Sequence, residues 1–233
     1  MIRVGHKGAD AIVPGNTLES FDAALAAGVD MIEFDVLSER PDGGGELRVV
    51  HDYGELRRHA APTLAEALAH LCSAPFAGIR PQLDLKRPGY EERVVEALDD
   101  AGARSRAFCS TGEWRSLVRL RTLSPDLSIG WTVGSPMAGV PIVGALAGRL
   151  SRTGLARVAS ARLRDRSIDA LVVQWPLASR RLVRVVREAG GEIYVWTVDD
   201  IARIRELAAL GVSGVISNDP RLFAQLTEQR AAL

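Results

Sequence analysis

The feature that most constrains this chain is an order repeated from end to end, a short apolar run and then a helical pattern. Runs at Ile2–Gly5, 31–37, 79–86, 106–110, Ser128–Val133, Ala170–Gln174, 192–198 and Gly214–Ser217 are each followed by a segment of helical periodicity. A further short run, 47–50, comes after the turn Pro41-Asp42-Gly43-Gly44-Gly45. Two stretches read as capping boxes. Asn16-Thr17-Leu18-Glu19 opens a helix with Leu18, Phe21 and Leu25 on one face, and Thr63-Leu64-Ala65-Glu66 opens one that runs to about Leu71. Repeated β-then-α order calls for parallel strands with right-handed crossovers, and eight units of about thirty residues close into a (β/α)8 TIM barrel. A doubly wound open sheet shares that order. The barrel is favoured because no G-x-G-x-x-G follows the first strand and because reactive residues gather at the ends of several strands. Residues 1–233 are expected to form one such domain, with a last helix from Pro220.

Composition narrows the function. With 47% apolar and 25% charged residues the 233-residue chain matches an ordinary soluble globule, and no apolar run reaches the ~18 residues of a membrane span. Basic and acidic residues both number 29, so no overall field exists to hold a nucleic acid or an anionic bilayer. Cys72 and Cys109 form neither a disulfide framework nor a C-x-x-C metal site, and Met1 leads directly into a strand without a signal region, which points to the cytoplasm. Only two of the basic residues are lysines, Lys7 and Lys86. A compact ammonium suits a phosphate oxygen differently from a guanidinium fork, so their positions matter.

A barrel carries its chemistry at the C-terminal ends of its strands. The first strand ends in His6-Lys7-Gly8, an imidazole for proton transfer beside a cation for an anion. On the second strand, alternation puts Ile32, Phe34 and Val36 on one face and Glu33 and Asp35 together on the other. Two carboxylates on one buried face need a neutralising partner, either arginines or a hard divalent cation such as Mg²⁺ or Ca²⁺. Gln82, Asp84 and Lys86 share a face of the next barrel strand, and His51-Asp52 ends an apolar run between them. His59 and His70 are expected to be solvated. Two histidines, three carboxylates and two lysines suit phosphoryl chemistry, whereas no P-loop and no zinc-type cluster is present.

The motifs His6-Lys7-Gly8, Pro14-Gly15-Asn16-Thr17, Phe21, Glu33-Phe34-Asp35-Val36, His51-Asp52, Asp84-Leu85-Lys86 and Val195-Trp196-Thr197-Val198-Asp199 resemble those of the glycerophosphodiester phosphodiesterases. That resemblance, from Val4 to about Pro220, implies a (β/α)8 barrel, one divalent cation (Mg²⁺ or Ca²⁺), and hydrolysis of a small glycerophosphodiester to glycerol 3-phosphate and an alcohol. It implies Glu33, Asp35 and Asp84 as metal ligands, His6 and His51 as the catalytic pair, Lys7 and Lys86 as phosphate contacts, and Trp196 as an aromatic at the mouth. His6 is read as base or nucleophile and His51 as acid, with the reverse assignment left open.

The chain departs from the family pattern at several points. Lys7 and Gly15 stand where arginine and glutamate are usual, and Asp84 stands where glutamate is usual, which is similar to the sphingomyelinase D group. The small subdomain usual after the second strand is largely missing, for about ten residues separate Asp52 from Thr63. The nearly uncharged segment 134–150 reads as a lid, a peripheral lipid contact, an oligomer contact or an ordinary buried loop. Rival readings are a lysophospholipase D-like or cyclising enzyme and a non-catalytic barrel that binds phosphate esters. The oligomeric state is left unassigned.

Overall fold

The structure, a computed structural model, describes residues 1–58, 60–134 and 152–228. Eight parallel strands close a barrel in the order β1 (Ile2–Gly5), β2 (Met31–Ser38), β4 (Arg80–Leu85), β5 (Phe108–Thr111), β6 (Ser128–Val133), β7 (Ala170–Gln174), β8 (Glu192–Trp196) and β9 (Gly214–Ser217). Pairing of β1 with both β2 and β9 completes the ring. The expected (β/α)8 barrel is therefore present. The ninth strand, β3 (Leu47–Val49), is antiparallel to the end of β2 and lies outside the ring.

Helices α1 (Leu18–Ala26), α3 (Leu64–Leu71), α4 (Glu91–Asp100), α5 (Trp114–Leu123), α6 (Arg152–Arg164), α7 (Arg180–Glu188) and α8 (Ile201–Leu210) cover the strands. Among the described residues there are also two short helices, α2 (Tyr53–Arg58) and α9 (Gln225–Glu228), with a 3₁₀ turn at Pro220–Phe223 where the last helix was expected to start. α2 fills most of the short connection between Asp52 and Thr63. Asp52 starts it by accepting from the backbone N–H groups of Gly54 and Glu55 at 2.6 and 2.9 Å.

Outward strand residues such as Ile32, Phe34, Val36, Leu83 and Cys109 pack against the helices in one cluster, and their counterparts on β6–β9 form another. The barrel interior holds a third: Val4, Met31, Phe108, Ala170, Val172, Tyr194 and Ile216. The Phe108 and Tyr194 rings sit 5.2 Å apart across it. Gly130 makes room for them, since a Cβ there would meet the Phe108 ring at 2.4 Å.

Successive inward positions then change character going up the barrel. Met31 gives way to Glu33 and Asp35, Gln82 to Asp84, Phe108 to Ser110, and Tyr194 to Trp196. The floor is an apolar plug and the mouth is polar. One helix start differs from expectation. The cap of α1 is Thr17 paired with Ser20, one position later than the sequence suggested, which releases Asn16 for another task. His70, expected to be solvated, instead bonds Asp22 at 2.8 Å and packs on Phe76, tying α3 to α1. The readings of His59 and of the lipid-contact segment fall outside the described residues, apart from Gly134.

Candidate active site

The C-terminal rim of the barrel brings most of the expected residues together. His6 follows β1 and anchors its N–H on the Ser217 carbonyl of β9 at 2.9 Å. The chain then turns through Lys7 (φ 50°) and Gly8 (φ 86°), both left-handed. At Gly8 a side chain would run into Ser20 at 2.4 Å, so only glycine allows this close approach. The turn aims its amides inward: Lys7 N–H donates to Glu33 Oε2 at 3.0 Å, and Gly8 N–H to the Glu33 carbonyl at 3.1 Å. A non-glycine residue held at positive φ is backbone strain, and here it serves to point a cation and an amide at one carboxylate pair.

Glu33, Asp35 and Asp84 each present a carboxylate oxygen to one cluster whose atoms all lie within 4.8 Å of one another. The partner of Asp35 and Asp84 is Lys86, whose Nζ is 2.5 Å from Asp35 Oδ1 and 2.7 Å from Asp84 Oδ2. Lys7 Nζ stands 3.8 Å from Asp35 Oδ2. Burial would raise the Asp35 pKa, but Lys86 and Lys7 outweigh it and hold this carboxyl below the usual carboxylate range. Burial and then Asp35 push Glu33 well above that range. Lys86, despite burial, is raised by Asp35, Asp84 and Glu33 and stays charged.

Asp84 Oδ1 is further held by Ser110 at 2.7 Å and Thr132 at 3.2 Å. Asp35 is held by a residue that sequence reasoning assigned to a helix cap. Asn16, buried and at φ 60°, donates from Nδ2 to Asp35 Oδ2 at 2.9 Å and accepts from the Asp35 backbone N–H at 3.0 Å. Its signal in the sequence is the motif Pro14-Gly15-Asn16-Thr17, but its partner lies 19 residues away.

His6 is oriented by a chain of bonds. Its Nδ1 lies 2.5 Å from Asn218 Oδ1, an oxygen that only accepts, so this nitrogen carries the proton and Nε2 faces Glu33 Oε2 at 3.8 Å. The Asn218 side chain in turn donates to Asp199 Oδ2 at 2.6 Å, and its backbone N–H donates to Asp199 Oδ1 at 2.7 Å. Burial lowers the His6 pKa against the opposing effects of Asp35 and Asn218. Asn218 was not foreseen, and Asp199 was noticed only as part of a motif.

His51 sits differently. It is half exposed beyond β3, 3.4 Å from Asp52 Oδ2, and close enough to Asp35 to lower that carboxyl's pKa. Trp196 is inward-facing above Tyr194, its indole N–H directed at the Val172 carbonyl at 3.4 Å.

The donor set fits a hard divalent cation. It consists of three carboxylates, and the buried Asp35 Oδ1 has no directed hydrogen bond even though an ammonium lies close to it.

Comparison with known proteins agrees with the geometry. The model of the glycerophosphoryl diester phosphodiesterase family matches residues 6–61 and 62–222. The chain is 29% identical over 264 residues to the glycerophosphodiester phosphodiesterase GDPD4 of Arabidopsis thaliana, covering 96% of this chain and 72% of that one. It is 23% identical to a glycerophosphodiester phosphodiesterase of Caldanaerobacter subterraneus, covering 97% of each. Its fold matches a phosphodiesterase of Oleispira antarctica, solved with the product sn-glycerol-3-phosphate, with a TM-score of 0.73 at 20% identity over 97% of this chain and 96% of that one. A family match over nearly the whole barrel leads to one conclusion: the chain belongs to the glycerophosphoryl diester phosphodiesterase family and is a phosphoric diester hydrolase.

Proposed function

We propose that residues 1–233 form a single cytoplasmic phosphodiesterase domain that hydrolyses glycerophosphodiesters to sn-glycerol 3-phosphate and an alcohol. One observation supports this above the others: three carboxylates, two lysines and His6 converge at the mouth of a barrel of this family. Glu33, Asp35 and Asp84 are the residues to hold a divalent cation, Mg²⁺ or Ca²⁺. Such an ion, when bound, neutralises charge on the phosphate and polarises its P–O bonds.

The remaining work falls to the chain. Lys7 and Lys86 carry positive charge toward the phosphate oxygens. His6 has its Nδ1 proton committed to Asn218, so Nε2 is the atom that acts on the attacking oxygen or on phosphorus. Asp199 and Asn218 hold that tautomer. His51, half exposed beside Asp52, is the group to return a proton to the leaving alcohol, a role its exposure supports because it can exchange protons with water. Trp196 forms an apolar wall for the glycerol carbons.

Asp84 is one methylene shorter than glutamate, and α2 with a short connection stands where a larger insertion is usual. Both features leave room for a bulkier diester, which makes the lysophospholipase D-like or cyclising reaction on lysolipids the second reading.

Phosphorus NMR separates the readings. Purified protein with Mg²⁺ is given glycerophosphoethanolamine in one tube and a lysophospholipid in another, each with and without EDTA. EDTA-sensitive glycerol 3-phosphate in the first tube is the expected result. Lysophosphatidate or a cyclic phosphate from the second tube alone would move the assignment to lysolipids, and silence in both would leave phosphate-ester binding without turnover.

A further inference from the structure

The zero net charge conceals a strong local imbalance. Between Arg152 and Glu188 lie nine arginines and three acids, so the rest of the chain carries an equal excess of acid. This stretch contains α6 and α7, which pack side by side on the outside of the barrel. α7 buries Leu182, Val183 and Val186 and exposes Arg180, Arg181, Arg184 and Arg187. The groove between α6 and α7 is lined by Arg157, Arg164 and Arg181, and the groove between α7 and α8 by Arg180, Arg184 and Arg187. Among the described residues, Glu188 is the one acid lining either groove. It lies 3.8 Å from Arg184, with both side chains more than 60% exposed, a pairing too solvated to cancel the field of the others.

The upper edge of this face reaches the mouth. Trp175 directly follows β7 and precedes α7, and it is one of the few large apolar side chains left exposed among the described residues. The Arg203 guanidinium of α8 lies 4.7 Å from the centre of its ring and also pairs with Glu206 of the same helix, so the cationic field comes chiefly from α6 and α7. An exposed indole with one arginine against its ring, beside two arginine-lined grooves, is the chemistry of a membrane interface. The ring sits at headgroup depth and the guanidinium groups meet lipid phosphates.

We infer that the α6–α7–α8 face is a docking surface for an anionic phospholipid bilayer, anchored at its upper edge by Trp175. The sequence-wide charge balance excluded such a surface only on average. The contact is peripheral, since no described helix is long and apolar enough to cross a membrane. It brings the rim at β7 toward the bilayer and leaves the catalytic cluster, on β1, β2 and β4, untouched.

The test is vesicle co-sedimentation of the full chain. Vesicles of phosphatidylcholine are compared with vesicles containing phosphatidylglycerol, at low and high salt. Binding to the anionic vesicles alone, lost at high salt, is expected. Reversing three charges with Arg180→Glu, Arg184→Glu and Arg187→Glu should weaken it on the order of 100-fold, from the attraction each arginine has for an anionic surface. Arg180→Lys, Arg184→Lys and Arg187→Lys should retain most of it, which separates lost charge from lost fold, and circular dichroism checks folding of both. Trp175→Ala should weaken binding several-fold. Equal binding to both vesicle types, or no binding, overturns the inference. So does displacement by a short DNA duplex with Trp175→Ala without effect on vesicle binding, which would make the face a general polyanion site.

Discussion

The floor and the mouth of the barrel are built from the same strands, yet they are held by opposite physics. At the floor, Met31, Phe108, Tyr194 and Ile216 fill the interior without charge, and Gly130 yields space to a ring. Further along the inward faces of β2 and β4 stand Glu33, Asp35 and Asp84, which repel one another and lean on Lys86 and Lys7. Burial stabilises the first layer by removing apolar area from water, whereas it opposes the second, which stands only because opposite charges were buried together. The contrast teaches that stability and chemistry are separable here by layer, and each can be removed without the other.

The largest effect should come from Asp35→Asn. It takes away the carboxylate shared by Lys86, Lys7 and Asn16, and turnover of glycerophosphoethanolamine should fall on the order of 10³-fold or more, with loss of Mg²⁺ binding by calorimetry. Near-normal activity would break the claim that this layer is catalytic. The complementary change is Phe108→Ala in the floor, expected to cost about 3–5 kcal/mol in urea unfolding through the cavity it leaves. Glu33→Gln sharpens the contrast between layers. Removal of a strained carboxyl should leave the melting temperature unchanged or higher while activity is lost. A marked fall in stability would show that the mouth supports the fold after all.

Asn16→Ala should cost roughly 10–100-fold in cation affinity or rate, because it frees Asp35 to rotate. The smallest effect lies outside both layers. The hydrogen bonds from Arg3 hold Asp30 below its ordinary pKa, even though its burial opposes this. A depressed carboxyl contributes stability above the unfolded-state pKa and loses it as pH falls through the folded-state value. The Arg3→Met variant should therefore match the parent in stability below that value and fall short of it above about pH 4, by less than about 1 kcal/mol at this exposed pair.

Legibility followed the range of the interactions. Strands β1, β6, β7 and β9 and the helix α3 were read residue by residue, since their limits are set by local apolar runs and by Thr63 with Glu66. Glu33, Asp35, Asp84 and Lys86 were legible because strand alternation puts them on one face, and parallel pairing then sets Asp35 beside Asp84. Asn16 was misread since its neighbours satisfy a capping pattern, and nothing local reports a bond to β2. His70 was misjudged for the same reason, as its partner sits on another helix.

By itself, the sequence determined the barrel, the strand that carries each acid and the family of the chain, because period, order and motif are properties of nearby residues. Only the tertiary structure decided how the groups meet. It set Lys86 against Asp35 of another strand, and Asn218 and Asp199 behind His6. Those are contacts between residues far apart in the chain, and closure of the barrel is what brings them within reach.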